Sequence, residues 1–200
     1  QKKRKRKSNK NVAKPKPAKK EKRRGSKNIW LKSTFDGRID LKNGQRSSRW
    51  SGLNNDDRSA QRLSWKNGEF HVRRSNAREN GGSAWVETST SIPVTSNTRI
   101  SLKGKTIFSD VIGGDGKKHG EYPLKVTLAI IRRSGKLINL RYAFNYRGVT
   151  NRRKGNLIQV GVRTSKSSWT SFEAKIQDKV PDAQEIVTVI IGGSGWNFES

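Results

Sequence analysis

The sequence predicts an all-β protein: an antiparallel β-sandwich of jelly-roll type, preceded by a disordered basic N-terminal arm. Three observations carry this. First, Glu121 to Tyr146 reads as two long strands around a tight turn. Leu124, Val126, Leu128 and Ile130 fall on one face of the first arm, and Ile138, Leu140, Tyr142, Phe144 and Tyr146 on one face of the second. Two-residue periodicity with β-branched and aromatic residues marks a strand with one buried side. Second, Lys66-Asn67-Gly68 lies between two apolar stretches, and Asn-Gly is the strongest two-residue hairpin signal. Third, short strand patterns recur between Gly, Asn and Pro turns, with no helical periodicity, as in two-sheet sandwiches and jelly rolls.

In chain order, residues 1–27 form the arm and residues 28–200 the sandwich domain. Ile29-Trp30-Leu31 is the first apolar anchor, Phe35-Asp36-Gly37 a turn, and Asp40 to Asp57 a polar loop around Trp50. The Asn-Gly hairpin joins Arg62–Trp65 to Glu69–Val72. Trp85 to Val94 alternates as a strand whose Pro93 marks an edge or an end. Arg99 to Phe108 puts Ile100, Leu102 and Phe108 on one face. A glycine-rich loop, Ile112 to Gly120, leads into the central hairpin, whose turn Arg132-Arg133-Ser134-Gly135-Lys136 holds the glycine a short loop needs. Arg147 to Gly155 reads as a basic loop, Leu157 to Arg163 and Trp169 to Ile176 as strands. Ile186 to Ile191 reads as a central strand buried on both faces.

Charge divides the chain. The net charge is +28, and residues 1–27 hold 15 Lys/Arg against the single acid Glu21, half of the excess. Pro15 and Pro17 oppose helix there, and self-repulsion keeps such a segment open. Lys2, Lys3, Arg4, Lys5, Arg6, Lys7, Lys19, Lys20, Lys22, Arg23 and Arg24 are the polyanion-binding candidates of the arm. Such clusters bind by releasing counterions and read no sequence. The Lys2–Lys7 run would also serve as a nuclear-import signal. The partner expected is a polyanion: nucleic acid, an acidic polysaccharide or an anionic membrane face. The absence of cysteine excludes disulfides and thiolate zinc sites. No apolar run reaches membrane-spanning length. A start at Gln1 reads as a fragment or a processed product.

Several short motifs from about Trp85 onward carry a family resemblance. They are Gly113-Gly114, Gly120-Glu121-Tyr122-Pro123-Leu124, Phe144-Asn145-Tyr146, Trp169-Thr170-Ser171-Phe172-Glu173 and Gly193-Ser194-Gly195-Trp196-Asn197-Phe198-Glu199. Residues 85–200 thereby resemble galactose-binding-like jelly-roll domains, of the carbohydrate-binding-module type, in bacterial extracellular and surface proteins. The resemblance implies a glycan or surface ligand, an extracellular or cell-surface location, and a further strand after Ser200. That strand's absence would leave a sheet edge open to a neighbour's strand. The chain's basicity departs from the pattern of a plain sugar binder.

The residues point away from catalysis. His71 and His119 are the only histidines, and no nucleophile-elbow sequence accompanies them. Gly113 to Lys117 lacks the spacing of a phosphate loop. No cofactor is called for, beyond the structural calcium that jelly-roll modules often hold between loop carboxylates; Asp36, Asp40, Asp56 and Asp57 are the candidates. Of the six tryptophans, core packing is the default reading. Trp50, in a polar loop, and Trp65, beside the Asn-Gly turn, are the ligand-platform candidates. Lys117, Lys118, Arg132, Arg133, Arg152, Arg153 and Lys154 lie in expected turns and form a candidate basic patch at one end of the sandwich.

The expected function is a non-catalytic binding module. Two rivals accompany it: a jelly-roll, capsid-like structural protein whose arm binds nucleic acid, in the virion or nucleus, and a surface adhesion or assembly domain that self-assembles by accepting a strand.

Overall fold

A computed structural model describes residues 39–41, 51–54, 60–66, 69–75, 82–109, 121–195 and 198–200, all within one compact unit, residues 33–200. The described residues form strands β1 (Ile39–Leu41), β2 (Ser51–Asn54), β3 (Ala60–Lys66), β4 (Glu69–Ser75), β5 (Gly82–Pro93), β6 (Arg99–Gly104), β7 (Phe108–Ser109), β8 (Leu124–Arg132), β9 (Leu137–Asn145), β10 (Arg152–Lys154), β11 (Leu157–Arg163), β12 (Thr170–Lys175), β13 (Ala183–Gly195) and β14 (Phe198–Glu199), with no helix among them. The protein is all-β. Seven strands form one large sheet in the order β10-β11-β9-β8-β13-β5-β2, five another in the order β1-β3-β4-β14-β7, and β6 and β12 pair as a separate ribbon.

The β8–β9 hairpin sits where the alternation put it. Leu124, Val126, Leu128 and Ile130 pair with Phe144, Tyr142, Leu140 and Ile138, and all eight side chains are buried. Gly135 closes the turn at φ 75°, a left-handed conformation that glycine adopts without a Cβ penalty. The Asn-Gly hairpin also forms, with Lys66 opposite Glu69. Pro93 ends β5.

Five expectations need correction. The large sheet is mixed and not antiparallel throughout: β11 runs parallel to β9 with Leu157 opposite Asn139. Arg152–Lys154 is the edge strand β10, not a loop; its three exposed cations carry no apolar marker that a pattern could detect. Charge on a short edge strand also discourages edge-to-edge pairing. Phe108 is 43% exposed, because Gly104 ends β6 before the alternation can reach it. The run Ile186–Ile191 is central but not buried on both faces: Ile186 and Val189 are buried, and Ile190 is half-buried. A register shift at Val187 explains the run. Ile186 pairs with Ile130 and Val189 with Leu128, so the inward parity switches from even to odd across the bulge. Finally, the segment expected to precede a further strand forms one itself: β14 pairs with β4 and β7.

The buried face of the large sheet is covered in part by the ribbon. Phe172 of β12 meets Tyr142 at 4.8 Å between ring centroids and Phe144 edge-on at 5.7 Å. Tyr142 is fully buried and its hydroxyl has no hydrogen-bond partner among the described residues. Burial, helped by Asp178, pushes that hydroxyl's pKa up to about 12. An unsatisfied buried hydroxyl is unfavourable by roughly 1–3 kcal/mol. Tyr142→Phe should therefore hold or raise the melting temperature, as measured by calorimetry. A clear loss would mean that the hydroxyl has a partner.

Candidate functional site

The ribbon has two chemically opposite faces. Its register sets Gly104 opposite Thr170, Lys103 opposite Ser171, Leu102 opposite Phe172, Ser101 opposite Glu173, Ile100 opposite Ala174 and Arg99 opposite Lys175. Alternation sends Ile100, Leu102, Phe172 and Ala174 inward, and these are half-buried while Arg99, Ser101, Lys103, Ser171 and Glu173 are exposed. Gly104 lies at a close approach, since a Cβ there would stand 2.6 Å from Leu124 Cδ2. The outer face carries Arg99, Lys103 and Lys175, with Lys105 just past the end of β6, against the single acid Glu173.

At the end of this face stands Trp169, 44% exposed. The Lys105 ammonium lies 4.8 Å from its ring centroid and the Lys103 ammonium 5.5 Å. Each such cation–π contact contributes about 0.5–1 kcal/mol at an exposed site. At the opposite end Arg99 bonds Glu173 at 2.8 Å beside Lys175, so two of the three remaining cations, Lys103 and Lys105, stand at the tryptophan end. Lys166 adds to it: its ammonium lies 5.7 Å from the Tyr146 ring, and Lys166 bridges to Thr106 in parallel.

The turn before Trp169 is held from several sides. Thr164 and Thr106 share a buried hydroxyl–hydroxyl hydrogen bond of 2.6 Å, and the Ser167 amide donates to the Thr106 carbonyl at 2.9 Å. Ser167 adopts φ 58°, the left-handed region that a side chain enters only at some energetic cost. The backbone is thus fixed where it delivers the indole to the surface.

A second polar group of residues lies on the other side of the large sheet, opposite the hairpin's buried face. Lys125 and Arg141 occupy neighbouring strands, and Arg141 sits directly across from Thr127. Lys125 is half-buried, and its ammonium donates to Ser194 Oγ at 2.7 Å. Burial first, then the Arg141 charge, lowers its pKa from 10.5 to about 7, with Glu121 opposing. Nearby, Gln159 is buried and donates to the Tyr122 hydroxyl at 3.1 Å and to the Thr150 carbonyl at 3.2 Å.

The expected site residues fare differently. Lys2, Lys3, Arg4, Lys5, Arg6, Lys7, Lys19, Lys20, Lys22, Arg23, Arg24, Trp50, Lys117 and Lys118 lie outside the described residues, as do Asp36, Asp56, Asp57 and His119. Trp65 is in β3, opposite Ile39 and Phe70, and the described residues do not include its side chain. Arg132 donates through Nε to both oxygens of Asp182 at 2.8 Å, which holds that carboxyl below its usual range. The two turns that carry Arg132, Lys136 and Gly155 do meet at one end of the sheet, joined by the Asn139 amide on the Asn156 carbonyl at 2.7 Å. Arg152 and Arg153 line a shallow depression with Lys179, along the sheet edge. His71 stands 3.2 Å from Glu69. Among the described residues no three His, Cys, Asp or Glu side chains group as metal ligands, and no helix is long and apolar enough to cross a membrane.

Trp169 and its lysines were missed because a tryptophan opening a strand pattern reads as core. The available signal was the parity of β12: Phe172 inward requires Trp169 outward. No protein-family model matches the chain, and no curated protein matches it.

Proposed function

We propose that the protein is a non-catalytic binding module for polyanions, with the outer face of the β6–β12 ribbon as its ordered binding surface and the Lys/Arg-rich arm as a second, non-specific one. One observation carries this reading: an exposed tryptophan lies against two lysine ammoniums on a face with four cations and one acid. Long-range attraction would gather the ligand, and short-range contact with the indole would orient it. In this reading the fold is a jelly-roll sandwich, and the contact of Phe172 on Tyr142 and Phe144 lays the ribbon on the buried face of its large sheet. The location that suits such a module is extracellular or at a cell surface.

The test is retention of the full chain on an immobilised sulfated polysaccharide. Lys103→Ser/Lys105→Ser should elute at clearly lower salt than the parent chain, while neither protein is held by an uncharged polysaccharide. Equal elution of the two proteins would remove the ribbon from the binding surface. Strong retention by the uncharged polymer would favour a plain glycan module instead.

A second reading, a structural subunit whose arm packages nucleic acid, draws on the concentration of half the net charge in residues 1–27. Light scattering separates it: such a subunit forms particles of defined size when mixed with nucleic acid, and a binding module does not.

A further inference from the structure

We infer that the Trp169 end of the ribbon binds single-stranded nucleic acid, with one base stacked on the indole and adjacent phosphates on Lys103 and Lys105. This deepens the polyanion reading and rests on it. Three features of the geometry support it. Lys103 and Lys105 are two residues apart on one face, about 6.6 Å at the rise of an extended strand, which is comparable with the step between phosphates of an extended single strand. Trp169 lies beside this pair, with both ammoniums within 5.5 Å of its ring centroid. A phosphate bound to the pair would therefore hold its own base within reach of the indole. Lys166, exposed on the turn before Trp169, adds a further cation to this region, with its ammonium 5.7 Å from the Tyr146 ring.

The same contacts give the site a switch-like character. Without ligand, the ammoniums rest over part of the indole, which stays 44% exposed. A phosphate is a stronger partner for an ammonium than a ring is, because its charge is full and localised. Binding therefore draws the lysines off the ring and frees the indole as the base arrives. A duplex offers the phosphates but keeps its bases stacked on one another, so it cannot use the ring. A sulfated polysaccharide offers anions without any base. Stacking of a base on an aromatic side chain is sequence-tolerant, since every base has a π-face. The site should accordingly prefer single strands without reading their sequence.

The arm cannot mimic this preference, because residues 1–27 contain no aromatic side chain. The experiment uses the full chain and fluorescence anisotropy with two labelled probes of equal length and charge: oligothymidylate and an abasic strand. A sulfated polysaccharide serves as a third ligand, by competition. The parent chain should bind oligothymidylate roughly 5–150-fold more tightly than the abasic strand, the range that one base–aromatic stack supplies. Trp169→Ala should abolish that preference, bringing oligothymidylate down to the affinity of the abasic strand. Trp169→Phe should keep most of the preference, since the phenyl ring still offers a π-face. Equal binding of the two strands by the parent chain would overturn the inference. In that case continued weakening of polysaccharide binding by Lys103→Ser/Lys105→Ser would leave the polyanion reading intact. If that double substitution changes nothing with any ligand, the polyanion reading of the ribbon fails as well.

Discussion

Gly192→Ala is expected to lower the melting temperature by roughly 6–12 °C, from about 3 kcal/mol of lost stability at about 2–4 °C per kcal/mol for a chain of this size. Gly192 lies in β13 between β8 and β5, opposite Lys125 on one side and Trp85 on the other. A Cβ at this position would stand 2.2 Å from the Ala84 carbonyl oxygen and 2.5 and 2.6 Å from Trp85 Cβ and Cα. Those are mostly backbone or backbone-proximal atoms of a paired strand. They cannot rotate aside as a side-chain tip can, so relief requires β13 and β5 to separate. Gly155 is the natural contrast. It has φ 56° in a turn with nothing near its absent side chain, so Gly155→Asn should cost little, Asn being at ease in that conformation. Thermal unfolding of the two variants side by side checks the argument. Equal, small shifts would show that the β13–β5 pairing tolerates an added methyl group.

The second large effect is a dependence of stability on pH centred on Lys125. Its pKa is about 7 in the folded protein against 10.5 for an ordinary lysine. Between those values the unfolded chain binds more protons than the folded one, so stability rises with pH across that interval. The gain is complete above about 10.5 and is lost as pH falls through 7. The difference corresponds to at most ~5 kcal/mol. Tyr142 acts with the opposite sign at the alkaline end. Its hydroxyl stays protonated up to about 12 when folded but ionises near 10 when unfolded, so stability falls above pH 10. The optimum is thus expected near pH 10, alkaline of the usual range of about 5–8. Chemical denaturation at pH 6.5, 8 and 9.5 measures this. Lys125→Met should flatten the rise, because it removes the titrating group and keeps a stem of similar length. A parent chain whose stability is level over the interval, or a variant with the same rise, would contradict the assignment.

The parts of the fold that were legible in the sequence are those with local patterning. The β8–β9 hairpin declares itself through unbroken alternation and a glycine in its turn, and the β3–β4 hairpin through Asn67-Gly68. What escaped has no local mark. β10 is Arg-Arg-Lys, and only its partner β11 makes it a strand. The parallel pairing of β11 with β9 is chosen by the sheet as a whole, not by either segment. The apolar run in β13 imitates burial on two faces, but it records a bulge that reverses the parity at Val187. Charge is no guide to exposure at Arg74, which follows the exposed Arg73 yet is 2% exposed and donates to the Gly195 carbonyl at 2.7 Å.

The candidate site was legible only in its chemistry. The sequence points to basic residues and to tryptophans as classes, and the proposed platform is Trp169, whose neighbours Lys103 and Lys105 lie more than sixty residues earlier in the chain. Their meeting depends on the pairing of β6 with β12, a long-range choice fixed by burying Ile100, Leu102, Phe172 and Ala174 together. Arg132 shows the converse. It looked available in its turn, and Asp182, fifty residues away, already holds it.

In the proposed reading an ordered pair of lysines on the ribbon, and not the arm alone, holds the polyanion. The slope of log affinity against log salt for a single-stranded oligonucleotide reports on that pair, since each neutralised phosphate contributes about 0.7 to the slope. Lys103→Ser/Lys105→Ser in the full chain should make the slope shallower by about 1.4. Two parallel lines, with the double variant as steep as the parent, would contradict the claim.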